Sequence, residues 1–221
     1  NDTVTSVSGN NVFLGDRGSV TWDAGLLSSV VALTSVTSGD DSLTGGSGND
    51  ILFSGEGSDT VVGGGGTDIL AGDVGMLSLV SGVVASLNVS ATDGVNDNDT
   101  LTTTGNTSVA VGGLGSDAIT AFVSVGDLAT VTWVSGVISQ VVTTESTLGN
   151  GDTLTGGSAG EVLLGGSGTD TINAGDGNNF VLGDDGTVTF TSGVVATLVV
   201  TEGANDAADV VTSGTGQDVI L

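Results

Sequence analysis

The chain has no Cys, Pro, His or Tyr, and among its 221 residues there is a single base, Arg17. Each absence removes a class of chemistry. Disulfide scaffolds, zinc sites of the Cys/His type and His-based catalytic triads are excluded, as is a collagen-like helix. Nucleic-acid binding is excluded too, because affinity for phosphates is built from many basic contacts. Long apolar runs are also missing: stretches such as Val30–Leu33 fall far short of the roughly 18 residues that span a bilayer, so no membrane insertion is expected. No basic segment followed by an apolar one is visible, and the chain starts at Asn1, so it is expected to be a fragment of a longer repetitive chain. What the sequence does have is 40 Gly, 26 acids for a net charge of −25, and 38% apolar residues, with a mean hydropathy that is positive. Acidic disordered chains are poor in apolar residues, so this one is expected to bury a core.

Self-comparison shows two periods, and a fixed period decides architecture before local propensity does. The short one is nine residues. Gly45-Gly46-Ser47-Gly48-Asn49-Asp50-Ile51-Leu52-Phe53 is followed by the blocks 54–62 and 63–71, and the pattern returns at 112–120, 156–164, 165–173 and 174–182. It reads G-G-x-G-x-D-x-U-x, with U apolar. Extended through the chain, the register gives 15 positions for the acid, from Asp2 to Asp218, of which 11 are Asp; two residues later the side chain is apolar all 15 times.

The long period joins those blocks. Gly-Asp pairs begin at Gly15, Gly72, Gly126 and Gly183, spaced 57, 54 and 57 residues apart, and each opens an insertion of about 21 residues. Apolar and polar residues alternate in Val20-Thr21-Trp22 and Val188-Thr189-Phe190, as in a half-buried strand. Three residues ending in Gly25, Gly82, Gly136 or Gly193 follow, which predicts β-hairpins with three-residue loops. The expected fold is therefore all-β: one continuous parallel β-roll or β-solenoid over 1–221, with four long repeats starting near 14, 71, 125 and 182 and a hairpin inserted every 54–57 residues.

In such a roll each nonapeptide is a turn plus a short strand, and two of them complete a coil. Residues 18 apart then stack at about 4.8 Å, the β spacing. Asp41 is expected over Asp59, Asp50 over Asp68, and Asp152 over Asp170. Stacked carboxylates with no base nearby repel by roughly 1 kcal/mol per pair in water and about 4 at an intermediate dielectric. A cation has to sit between them. Carboxylate and carbonyl oxygens, with no nitrogen or sulfur ligand on offer, select a hard ion, and flexible coordination by six to eight oxygens favours Ca²⁺ over Mg²⁺.

These nonapeptides resemble the RTX family, whose repeats form calcium-bound parallel β-rolls in proteins exported from Gram-negative bacteria. The resemblance covers the nonapeptide blocks, about half of the chain, and is highly specific there. It implies that the position-six Asp and the turn carbonyls bind calcium, and so nominates Asp41, Asp50, Asp59, Asp68, Asp117, Asp152, Asp170 and Asp218. Asn11, Glu161 and Asn179 depart from Asp, while Asp99 and Asp209 lack a glycine turn in front of them. For Asp16, Asp73, Asp127 and Asp184 of the Gly-Asp pairs, a turn-capping role and metal ligation both stand open. Arg17 is expected to bridge a local carboxylate, and Trp22 and Trp133, aligned with Leu79 and Phe190, are expected to serve apolar packing, with sugar stacking as the alternative.

Paired carboxylates recur along the whole stack rather than marking one cleft, so no enzyme is expected. The expected function is a calcium-stabilised structural module of a secreted bacterial protein: a filament, surface-layer or adhesin stalk, extracellular or on the cell surface. Its partners would be calcium ions and further copies or neighbouring repeats end to end. The alternatives are a ligand-binding adhesin module, or an export and folding appendage of a secreted hydrolase. An ice-binding solenoid would need a flat threonine array at coil spacing, which the insertions are expected to interrupt.

Overall fold

A computed structural model describes all residues except 36–38, 91–96, 145–146, 202 and 204. Every regular element in it is a strand, and no helix is long and apolar enough to cross a membrane. The strands form three sheets of eight. Two are parallel and are the two walls of a roll of eight coils. The third is antiparallel and consists of the four inserted hairpins.

The first wall, here the threonine sheet, runs through Thr3–Thr5, Ser42–Ser47, Thr60–Gly65, Thr100–Thr103, Ala118–Thr120, Thr153–Thr155, Thr171–Gly175 and Val210–Ser213. The second, the central sheet, runs through Val12–Leu14, Ile51–Phe53, Ile69–Ala71, Val109–Val111, Val123–Val125, Val162–Leu164, Phe180–Leu182 and Val219–Ile220. A strand of three residues turns one side chain inward, and that is the apolar residue two places after the register acid. Leu43, Val61, Leu101, Ile119, Leu154 and Ile172 thus meet Leu52, Leu70, Ala110, Leu163 and Val181 in a dry interior. They stack in register, Leu43 on Val61, Val61 on Leu101 and Leu101 on Ile119.

The hairpins pair with one another through Val30 and Leu77, Leu87 and Val131, and Val141 and Val188. The same residues close onto the outer face of the central sheet, where Phe53, Ile69, Val109, Val111, Val125 and Leu164 are buried, so the molecule has a second core and three layers. The two-coil spacing of the insertions has a geometric cause. Two coils advance about 9.6 Å, which is the width of two strands. One hairpin every second coil therefore tiles the central sheet without gap or overlap.

Two expectations need correction. The hairpin loops have two residues, not three: Asp23 pairs with Leu26, Val80 with Val83, Val134 with Val137 and Thr191 with Val194. Both loop residues have positive φ, as at Ala24 (50°) and Gly25 (84°), the type I′ geometry whose twist suits flanking strands. The residue taken as the third loop member belongs to the strand. Secondly, the insertions do not interrupt the threonine face. All four leave from the central-sheet side, so Thr3, Ser42, Thr60, Thr100, Ala118, Thr153 and Thr171 form one continuous outward column. Threonine combines β propensity with tolerance of water.

Candidate metal sites along the turns

The coil turns at two edges. At one, here the hairpin edge, the chain passes from the central to the threonine sheet, alternately through a glycine turn (54–58, 112–116, 165–169) and through a hairpin insertion. At the opposite edge it returns from the threonine to the central sheet. Each edge carries a ladder of register residues.

At the hairpin edge the ladder is acidic in every coil. The N–H of each register Asp donates to Oδ1 of the next: Asp2 to Asp41, Asp41 to Asp59, Asp59 to Asp99, Asp99 to Asp117, Asp117 to Asp152, Asp152 to Asp170 and Asp170 to Asp209, at 2.5–2.9 Å. This fixes one oxygen of every carboxylate. The other, Oδ2 of Asp41, Asp59, Asp99, Asp117, Asp152 and Asp170, is buried and has no hydrogen-bond partner. Six successive orphaned oxygens are costly in a folded protein, since each such group forfeits its water for nothing.

Five of the six orphans, all but that of Asp59, where Ser54 holds the position, face a space kept open by glycine. A Cβ on Gly72 would collide with Asp99 Oδ2 and the Gly112 carbonyl, one on Gly126 with Asp152 Oδ2 and the Gly165 carbonyl, and one on Gly165 with Asp170 Oδ2 and the Gly183 carbonyl. Gly15 stands in the same relation to Asp41 Oδ2 and the Ser54 carbonyl. Each space is lined by a carboxylate oxygen and a carbonyl oxygen from the next coil. Among the described residues no three carboxylates converge on one point, so turn carbonyls have to complete any coordination shell. An all-oxygen cradle beside an unpartnered buried carboxylate fits Ca²⁺.

The electrostatics agree. Burial first, and neighbouring carboxylates after it, push Asp99 up to about 10, Asp127 and Asp152 to about 9, and Asp59 and Asp170 to about 7, with Asp117 raised as well. Without a counter-charge Asp99, Asp127 and Asp152 resist ionisation at neutral pH, and Asp59 and Asp170 are only partly ionised there.

The glycine of each Gly-Asp pair now has a role. It is the position-one glycine of a nonapeptide whose turn has been opened to admit the hairpin, and its Asp follows 26 or 27 residues later. Asp99 and Asp209 therefore do have their glycine, in Gly72 and Gly183, and sit in the ladder with the nominated acids. The constant interval was the signal that could have placed them. The acid of the pair caps the neighbouring glycine turn: Oδ2 of Asp16 accepts the N–H of Glu56, that of Asp73 the N–H of Leu114, and that of Asp127 the N–H of Ser167. Asp127 keeps a second, buried oxygen without a partner.

The opposite edge is less regular. The N–H of Asn11 donates to Asp50, that of Asp50 to Asp68 and that of Asp68 to the Ser108 hydroxyl; a separate run joins Glu161, Asn179 and Asp218. Asp50 and Glu161 keep an orphaned oxygen, whereas Oδ2 of Asp68 already accepts the Thr103 hydroxyl at 2.5 Å. Between the two runs the fifth coil turns through Ala121 and Phe122 with no acid at all. Arg17 corrects its expectation: it is exposed and forms no ion pair among the described residues. Of the two Trp, Trp133 is half-buried against the second core, but Trp22 is 63% exposed.

The family of the RTX calcium-binding nonapeptide repeat matches in four copies, over residues 35–73 and 150–189. No curated protein and no solved structure matches the chain.

Proposed function

The chain carries RTX calcium-binding nonapeptide repeats, and on that premise we propose that it is a structural module of a secreted protein that folds when it meets extracellular calcium. The observation that carries this reading is the row of six buried, unpartnered Oδ2 atoms on successive coils. Asp41, Asp59, Asp99, Asp117, Asp152 and Asp170, with the turn carbonyls facing them, hold the ions at the hairpin edge; Asp50, Asp68 and Asp218 belong to the shorter ladders opposite. Bound calcium supplies the positive charge that this chain, with its single base, lacks.

Where free calcium is scarce, the acids repel and the coil stays open, a state suited to export. Outside, affinities of about 10⁻⁴ to 10⁻³ M, usual for extracellular calcium modules, let the coil close. RTX repeats are structural and non-catalytic, and the role proposed here is a stalk, filament or surface-layer segment. Further copies or neighbouring repeats of the same kind, end to end, are the proposed partners alongside calcium. The test is far-UV circular dichroism at neutral pH in excess chelator and then in millimolar calcium. The reading requires a disordered spectrum that becomes β; a β spectrum in chelator that calcium leaves unchanged contradicts it.

A further inference from the structure

A cleft of about 700 Å³ lies where the hairpin tips overhang the opposite edge of the roll, away from the orphaned ladder. Its two walls differ in chemistry. One is aromatic and aliphatic, with Trp22 and Trp133 from two hairpins. The other is a polar row on successive coils: Asn10, Asn49, Thr67 and Thr107, all exposed.

That row is held rigidly. Asn10 Oδ1 accepts the N–H of Asn49, Asn49 Oδ1 accepts the N–H of Thr67, and the Thr67 and Thr107 hydroxyls bond each other at 2.7 Å. With each amide oxygen tied to backbone, the two Nδ2 groups are fixed, and among the described residues they donate to no protein acceptor. The row spans three coil steps, about 14 Å.

We propose that this cleft binds a neutral, linear oligosaccharide. A sugar ring has an apolar C–H face that stacks on an indole and a rim of hydroxyls that suits preset amide and hydroxyl groups, the combination these walls offer. Charge narrows the choice further. No base lines the cleft, so nothing in it pairs with the charge of an anionic sugar. Trp22 lies on the edge strand Gly18–Asp23 of the hairpin sheet, which leaves its indole 63% exposed and open to the cleft.

Because the two Trp are the only ones and Tyr is absent, intrinsic fluorescence reports this cleft alone. The calcium-loaded chain, its fold checked by circular dichroism, is titrated with cellohexaose, maltohexaose, chitohexaose and mannohexaose, and with polygalacturonate as the anionic control. The proposal expects a saturable emission change with at least one neutral hexasaccharide and none with polygalacturonate. It expects binding to weaken at least tenfold in Trp22→Ala, read through Trp133, and in Asn49→Ala, with both variants as well folded as the parent. Absence of a saturable response to all four neutral sugars overturns it. So does equal binding by both variants, or emission that changes only with protein concentration, which would mean that a second copy covers the cleft.

Discussion

A proton should do part of the work of calcium. In the folded chain without a cation, Asp99, Asp127 and Asp152 are pushed up to about 10, 9 and 9 by burial and by their acidic neighbours. In the unfolded chain each returns to just below 4. The folded state therefore binds more protons throughout the interval between those values. Stability from these groups is fully present below about pH 4 and is lost as pH rises through the folded values. At pH 7 the loss is capped by the distance from the unfolded value, roughly three pH units or about 4 kcal/mol for each of the three. Their sum is on the order of 12 kcal/mol, as large as the whole stability of an ordinary domain. The calcium-free chain is thus expected to be unfolded at pH 8 and to gain β structure as pH falls towards 4. The assay is far-UV circular dichroism in chelator across that range, at low concentration with light scattering, because the isoelectric point is near 4.1. A chelated chain equally folded at pH 8 and pH 4, or one better folded at the higher pH, refutes the reasoning.

Other consequences follow from single sites. Gly126→Ala places a methyl where Asp152 Oδ2 and the Gly165 carbonyl converge; it should cost about 1–3 kcal/mol and raise the calcium concentration needed to fold. Gly65→Ala, whose Cβ would meet nothing within 4 Å, is the matched control and should leave the midpoint unchanged. Phe53→Ala removes a fully buried ring between the central and hairpin sheets and should lower calcium-loaded stability by about 3–5 kcal/mol in thermal or denaturant unfolding. Ala24→Asn should stabilise slightly, recovering a fraction of the roughly 1–2 kcal/mol that a left-handed residue costs, because Ala24 sits at φ 50° in a type I′ turn; a small rise in melting temperature is the readout.

The roll itself was legible because its period is short and rigid: an apolar residue two places after each acid can only be the inward side chain of a three-residue strand. The hairpins were legible from their alternation, but not their loops, since a left-handed non-glycine residue such as Ala24 or Ser81 leaves no sign in composition. The third layer also has a signal in the sequence. Flanking the inward residue, one set of nonapeptides has Thr-Leu-Thr or Thr-Ile-Asn and the other Ile-Leu-Phe, Val-Ala-Val or Val-Leu-Leu. Polar flanks face water, and apolar flanks require a cover, which is the hairpin sheet. The turn glycine of Asp99 is hard to see in the sequence because it lies 27 residues upstream, across an insertion that sequence distance makes look like a boundary. The exposure of Trp22 was not legible, because alignment with Leu79 and Phe190 implied common packing, whereas Trp22 lies on Gly18–Asp23, the edge strand of the hairpin sheet.

Anomalous diffraction from calcium-loaded crystals shows whether the orphaned ladder oxygens are calcium ligands. The account predicts ions about 2.3–2.6 Å from Oδ2 of Asp41, Asp59, Asp99, Asp117, Asp152 and Asp170, each also touching carbonyls of the adjoining turns. Calcium found only on exposed acids, with Oδ2 of Asp99, Asp117 and Asp152 still bare of any ion at saturation, would contradict it.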